Sequence, residues 1–363
     1  MVVASPNPSR AEKPEAIELP VINLSGERTE VASLITKACE EYGFFKVINH
    51  GVPEETVAAM EEEGVSFFTK PDVEKQRAGP AVPYGYGRKN IGFNGDIGEV
   101  EYLLLHTNPL SISQSSITIS GDPQKFCSVV NGYVRAVRGL ACDLLDLMAG
   151  GLRVHDQSLF SKMIRDVESD SLFRLNHYPP SSFHHCTTGA VGFGEHTDPQ
   201  ILTILRSNDV GGLQIRVADA VWVPVPPDPT AFCVNVGDVL QLFGSSLNQL
   251  ESHGKLVNHV QLIKGSNYDI GPYQVESTNL YFLKAMTNGR FMSVRHRALT
   301  NINKPRISMA YFGAPPLQAM VTTPPELVTP HSPLLYRPFT WGEYKRASYS
   351  LQLGDSRLQL FRK

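Results

Sequence analysis

His196-Thr197-Asp198, followed by the β-prone run Leu202-Thr203-Ile204-Leu205, is the stretch on which the reading of this chain turns. Residues two apart on an extended strand share a face, so the imidazole of His196 and the carboxylate of Asp198 can reach one ion. A second imidazole, His296, follows 100 residues later. Two His and one carboxylate suit ferrous iron, covering one side and leaving the other positions open for ligands. Ten residues beyond His296 stand Arg306-Ile307-Ser308. A planar guanidinium pairs bidentately with a carboxylate, and Ser308 shares its strand face. Singly, each element has a plain reading: a polar turn His, a salt-bridge Arg. Together and in this order they fit oxygen-activating chemistry that consumes 2-oxoglutarate. Asn176-His177-Tyr178-Pro179-Pro180 adds a phenol and an amide on one face for the same cosubstrate, although a strand ending at two prolines would look the same.

The surrounding pattern gives the fold class. Leu172–Tyr178, Leu202–Leu205, Gly212–Val217, Val221–Val225, Phe232–Val236, Phe291–Arg297 and Ile307–Phe312 are short β-prone segments separated by turns. Such a series suits a sandwich, a barrel or a double-sheet jelly roll. Before residue 165 the spacing favours helices: Val31–Tyr42, with Val31, Leu34, Ile35 and Ala38; Pro53–Phe68, with Val57, Met60, Val65 and Phe68; and a long amphipathic stretch, Phe126–Leu147. Leu19–Leu24 and Phe44–Ile48 read as strands, and Thr340–Ser350 as a helix. Residues 80–98, rich in Gly and aromatics, read as loop. The expected division is a disordered leader (1–16), a mainly helical region (17–165), a jelly-roll core (166–335) and a helical tail (336–363).

The chain has 363 residues, 42% apolar and 19% charged, with a formal net charge of −3. That balance argues against a nucleic-acid or membrane-surface partner. Cys39, Cys127, Cys142, Cys186 and Cys233 are scattered and odd in number, which fits a reducing compartment. The absence of a long apolar run adds to the expectation of a soluble cytoplasmic protein, or one also nuclear. Oligomeric state is left open.

His196-x-Asp198, His296, Arg306-x-Ser308 and Asn176-x-Tyr178-Pro-Pro together resemble the plant 2-oxoglutarate- and iron(II)-dependent dioxygenases. Gly43-Phe44-Phe45-x-Val47-x-Asn49-His50-Gly51-Val52 extends the likeness to the N-terminal region. Tyr84-Gly85-Tyr86-Gly87, Ile91-Gly92-x-Asn94-Gly95-Asp96-x-Gly98, Glu101–Leu105 and the tail from Phe339 to Leu358 are similar to gibberellin 2-oxidases. The resemblance implies an α+β fold: a distorted double-stranded β-helix, or jelly roll, flanked by N-terminal and C-terminal helices. It implies iron(II) on His196, Asp198 and His296, and 2-oxoglutarate on Arg306, Ser308, Tyr178 and Asn176. Dioxygen is the oxidant, ascorbate a support, and the product a 2β-hydroxylated, inactive gibberellin. Tyr102, Lys304 and Tyr311 are candidate substrate contacts; Lys304 reads equally well as a solvated turn residue beside Pro305.

Two features depart from that family. Glu99 stands where Trp is usual, which puts substrate packing there in question. The two His are also farther apart than the family pattern, and the excess falls at residues 242–284, 43 residues of mixed character without clear periodicity. Joining Gln241 to Ala285 gives a strand, an Asn288-Gly289 turn and the next strand, an apparent hairpin. The insert reads as translated non-coding sequence, ahead of a lineage-specific surface loop; His253 and His259 within it are incidental. Rival readings are a related dioxygenase with another substrate, or a form impaired by the insert.

Overall fold

A computed structural model describes residues 18–81, 83–91, 96–180, 190–217, 221–240, 286–288, 290–352 and 357–362. The leader and the insert lie outside these residues. In chain order the elements are β1 (Val21–Asn23), α1 (Arg28–Glu41), β2 (Phe44–Ile48), α2 (Glu54–Phe68), α3 (Asp72–Lys75), β3 (Gly85–Asn90), β4 (Ile97–His106), α4 (Pro109–Ile119), α5 (Pro123–Gly151) and α6 (Leu159–Arg165). There follow β5 (Leu172–Tyr178), β6 (Val191–His196), β7 (Leu202–Ser207), β8 (Leu213–Arg216), β9 (Trp222–Pro224), β10 (Phe232–Val236), β11 (His296–Leu299), β12 (Arg306–Gly313), β13 (Met320–Val321), β14 (Phe339–Thr340) and α7 (Trp341–Ser350).

The strands form an eight-stranded sheet, β1-β2-β10-β7-β12-β5-β4-β3, and a four-stranded sheet, β6-β11-β8-β9. Every pairing in them is antiparallel except β1 with β2. This is a jelly-roll core with flanking helices. Side chains alternate across the large sheet. Phe173, Leu175, Ile204, Val234, Met309 and Tyr311 join the core beneath the helices, where α5 sets Tyr133 against Phe173, ring centroids 5.2 Å apart. Leu172, Arg174, Asn176, Tyr178, Thr203, Leu205, Asn235, Arg306, Ser308 and Ala310 face a cavity.

Local signals explain the helix boundaries. Asp122 accepts from the Lys125 N–H and Pro123 opens α5, a start the apolar spacing placed three residues late. Asn108-Pro109 starts α4 in the same way; that helix escaped the periodicity reading because its buried positions are few: Ile112, Ser116 and Ile119. Thr340 and Glu343 close a capping box on α7. Leu34 and Val65, expected on buried faces, are exposed.

Two segments differ from expectation. Residues 80–98 are not simply loop, because they hold β3 and the start of β4. Gly87 looks like a turn residue, but a Cβ there would run into the Tyr102 ring; the glycine makes room for an aromatic on the neighbouring strand. The Asn-Gly hairpin also fails. β10 pairs with β2 and β7, whereas β11 pairs with β6 and β8, so the two strands belong to different sheets. Phe291–Arg295 runs without strand structure between them, its path fixed by Met292 N–H donating to Cys39 O at 3.0 Å.

The two described ends that flank residues 241–285 are bonded to each other. Met286 N–H donates to Val239 O at 3.0 Å and Thr287 Oγ1 to Leu240 O at 2.8 Å. Val239, Leu240 and Met286 are buried. The described residues on either side of the insert are thus tied together at its base. A chain with 242–284 deleted, Gln241 joined to Ala285, is expected to fold and to be more stable by up to about 3 kcal/mol, the ceiling set by loop-closure entropy. Urea denaturation followed by circular dichroism checks this; a deleted chain less stable than the full one would mean that the insert supports the core.

Candidate active site

The site begins with a strand pairing. His296 on β11 lies directly opposite His196 on β6 in the antiparallel register, and their ring centroids are 4.3 Å apart. Asp198 follows β6, with Oδ1 3.5 Å from His196 Nε2 and 3.7 Å from His296 Nε2. One ligand atom from each residue lies within 4.8 Å of the others; Asp198 and His296 are buried, and His196 is partly buried with its side chain 13% exposed.

The hydrogen bonds around this trio prepare it for a divalent metal. His196 Nδ1 meets Gly194 O at 2.8 Å and His296 Nδ1 meets Val294 O at 3.1 Å. A carbonyl only accepts, so both Nδ1 atoms carry the proton and both Nε2 lone pairs face inward. Burial, and then the neighbouring His196, push the His296 imidazolium down to about 4, so the ring is neutral near pH 7. Burial opposes ionisation of Asp198, but the two imidazoles and Thr203 outweigh it and hold the carboxyl below its usual range. Asp198 Oδ2 accepts from Thr203 Oγ1 at 2.6 Å and Asn235 Nδ2 at 2.8 Å, leaving Oδ1 toward the imidazoles. Two imidazoles and a carboxylate with fixed orientations fit ferrous iron.

Beside the trio, β5 and β12 run in register with Tyr178 opposite Arg306 and Asn176 opposite Ser308. Arg306 is buried, its guanidinium 5.1 Å from the centre of the Tyr178 ring. Its Nε–H has no hydrogen-bond partner among the described residues. Asn176 Nδ2 donates to Ser308 Oγ at 3.3 Å, which leaves the serine hydroxyl proton free to donate. A buried cation with an unmet donor, flanked by a phenol and a hydroxyl, suits the far carboxylate of 2-oxoglutarate.

These groups line one cavity of about 650 Å³. Tyr102 lines it too, its hydroxyl donating to Asn90 O at 3.0 Å. Tyr311 does not: three residues from Ser308 on one strand, it must point to the opposite face, and it is packed in the core with α5. Lys304 also lies elsewhere, its side chain 68% exposed and 3.7 Å from Asp209. Glu99 is on the face of β4 turned away from Tyr102 and pairs with Lys89 at 3.2 Å, so its departure from Trp leaves the cavity wall intact.

Several cavity residues were not found in the sequence. Arg174 was legible by parity, two and four residues before Asn176 and Tyr178. Gln200, Lys345, Ser348, Tyr349 and Arg357 also line the space, the last four contributed by the C-terminal segment through long-range packing.

Residues 169–259 and 247–315 match the pattern of the 2OG-Fe(II) oxygenase superfamily, and residues 19–106 that of the non-haem dioxygenase in morphine synthesis N-terminal family. Gibberellin 2-beta-dioxygenase 4 of Arabidopsis thaliana is 48% identical, covering 95% of each chain. Gibberellin 2-beta-dioxygenase of Phaseolus coccineus is 43% identical over 95% of this chain and 91% of its own. Among solved structures, JOX2 in complex with 2OG, Fe and JA superposes with a TM-score of 0.73 at 26% identity, covering 98% of this chain and 92% of the other.

Asn235→Ala and Thr203→Val each remove a bond that orients Asp198. Each is expected to weaken ferrous-iron affinity by about 10- to 100-fold in chelator competition, with the fold retained; unchanged affinity would show that the carboxylate needs neither bond.

Proposed function

The chain belongs to the 2OG-Fe(II) oxygenase superfamily, in the group of gibberellin 2-beta-dioxygenases, and from that premise we propose its reaction and the residues that serve it. It is an iron(II)- and 2-oxoglutarate-dependent dioxygenase that hydroxylates gibberellins at carbon 2 on the β face, which inactivates the hormone. The observation that carries the reading is the His196–Asp198–His296 trio opening into the same cavity as the buried Arg306.

Iron with 2-oxoglutarate supplies the oxidation: of the two atoms of dioxygen, one enters the substrate C–H bond and one the succinate formed as carbon dioxide leaves. Nε2 of His196, Nε2 of His296 and Oδ1 of Asp198 hold the metal. Arg306 and Ser308, with Tyr178 beside them, hold the far carboxylate of 2-oxoglutarate, and Asn176 braces Ser308. Tyr102 and Phe193 give the substrate rings an apolar wall. The protein's contribution is position: it fixes the reacting carbon near the metal and keeps bulk water out.

Full-length protein given ferrous iron, ascorbate, 2-oxoglutarate and a nineteen-carbon gibberellin is expected to yield a 2β-hydroxylated product and an equal amount of succinate, read by mass spectrometry. Succinate without that product, or a hydroxyl elsewhere on the rings, would overturn the assignment. Arg306→Met removes one partner of a buried ion pair, a loss of about 3–5 kcal/mol. The KM for 2-oxoglutarate should rise by several hundredfold or more; an unchanged KM would remove Arg306 from the cosubstrate site.

A further inference from the structure

Arg306 is not the only buried guanidinium on the cavity wall; Arg174 and Arg357 are buried there too. Arg174 on β5 is 8% exposed and stands opposite Leu104 on β4 and Ala310 on β12. Its Cζ lies 3.7 Å from the centre of the Tyr102 ring and 4.8 Å from that of Phe193. Its Nε–H donates to Asn176 Oδ1 at 2.7 Å, fixing the plane of the group. Nη2 is buried and has no partner among the described residues.

Nothing described neutralises this charge. The nearby carboxylate is Asp198, and its oxygens are turned to Thr203, Asn235 and the two imidazoles. Burial disfavours the charged guanidinium, yet Arg remains protonated in proteins. A desolvated cation with an unmet donor is costly unless a ligand supplies the counter-charge. Iron cannot be that ligand, because it is itself a cation. The cosubstrate has two carboxylates, one for Arg306 and one for the metal, and none remains. Arg174 is also four residues from Tyr178 on β5, about 13 Å along a strand, and Tyr178 stands opposite Arg306, so Arg174 and Arg306 are separate stations in one cavity.

We propose that Arg174 is the counter-ion for the substrate's own carboxylate, with Tyr102 and Phe193 holding the guanidinium plane so that its free Nη2 edge meets the acid. The assignment rests on the gibberellin reading for the identity of that acid. It makes the anion, and not only the ring system, a condition of binding. Neutral molecules of the same shape should be refused, because they leave the buried cation unpaired.

The test is anaerobic calorimetry on the full chain loaded with ferrous iron and 2-oxoglutarate, titrated with a gibberellin acid and with its methyl ester. Wild type should prefer the acid by about a hundredfold or more, the scale of a buried pair losing one partner. Arg174→Met should bind both compounds equally weakly and keep its affinity for 2-oxoglutarate; Arg174→Lys should restore part of the preference. The ester arm on wild type needs no mutation and stands even where a variant folds poorly. Equal affinity of wild type for acid and ester, binding of neither, or an Arg174→Met defect that falls on 2-oxoglutarate instead, would overturn the assignment. Selective binding of the acid without 2β-hydroxylation would remove the proposed reaction and leave the anion site in place. Hydroxylation with no acid preference would do the opposite.

Discussion

The antiparallel pairing of β6 with β11 is the constraint on which the rest depends. It sets His196 opposite His296, so two residues far apart in the chain become neighbours through backbone bonds alone. A one-residue slip would turn one imidazole away from the other. The register is held on both sides, because β11 also pairs with β8, His296 opposite Ile215. Phe44, from the N-terminal part of the chain, packs edge-on against the His296 ring at 5.3 Å. The metal face is thus an outcome of sheet assembly, in keeping with the rule that a precise site is best built on rigid elements.

Asp198 lies beyond the end of β6 and needs different support. Asp238 N–H donates to Asp198 O at 2.7 Å. The Asp238 side chain accepts from Tyr344 at 2.7 Å, Ser293 at 2.9 Å and Thr197 at 3.1 Å. Arg357 Nη1 donates to Thr197 O at 3.2 Å. One buried carboxylate therefore joins the C-terminal helix, the strand approach to His296 and the residue between the two first ligands. Because Lys345, Ser348 and Tyr349 from that same helix wall the cavity, closing the cavity and orienting the Asp198 loop are parts of one packing event.

How much of this was legible depends on the range of the interaction. β5 and β10 read directly from the sequence at their observed bounds, since alternation and flanking turns are local signals. The trio and Arg306-Ser308 were legible as types and spacing. Tyr311 was misplaced although strand parity alone forbids it from sharing a face with Ser308, and the same parity would have found Arg174. By contrast, β3 was hidden because its glycines answer to distant neighbours, Gly87 to the Tyr102 ring on another strand and Gly85 to the backbone carbonyls of Ala78, Gly79 and Pro80, and no local pattern carries that information. The hairpin expected before His296 failed for a related reason: adjacent β segments in a jelly roll can belong to different sheets.

That last point also explains why the chain can carry added length between β10 and β11. A hairpin would have made the connection part of the strand register, and added residues would have pulled on His296. Here the connection passes between sheets, and its register is set elsewhere, by β2 and β7 for one strand and β6 and β8 for the other. Between them the neck is fixed by its own contacts: Asn288, in a left-handed conformation at φ 46°, donates through Nδ2 to Leu327 O at 2.6 Å and Ser332 O at 2.8 Å. Thr287 Oγ1, donor to Leu240 O, also accepts from Phe291 N–H at 3.3 Å. The path from the neck to His296 is therefore anchored before the strand begins. Length added beyond the neck is separated from the metal ligand by bonds that would have to break first.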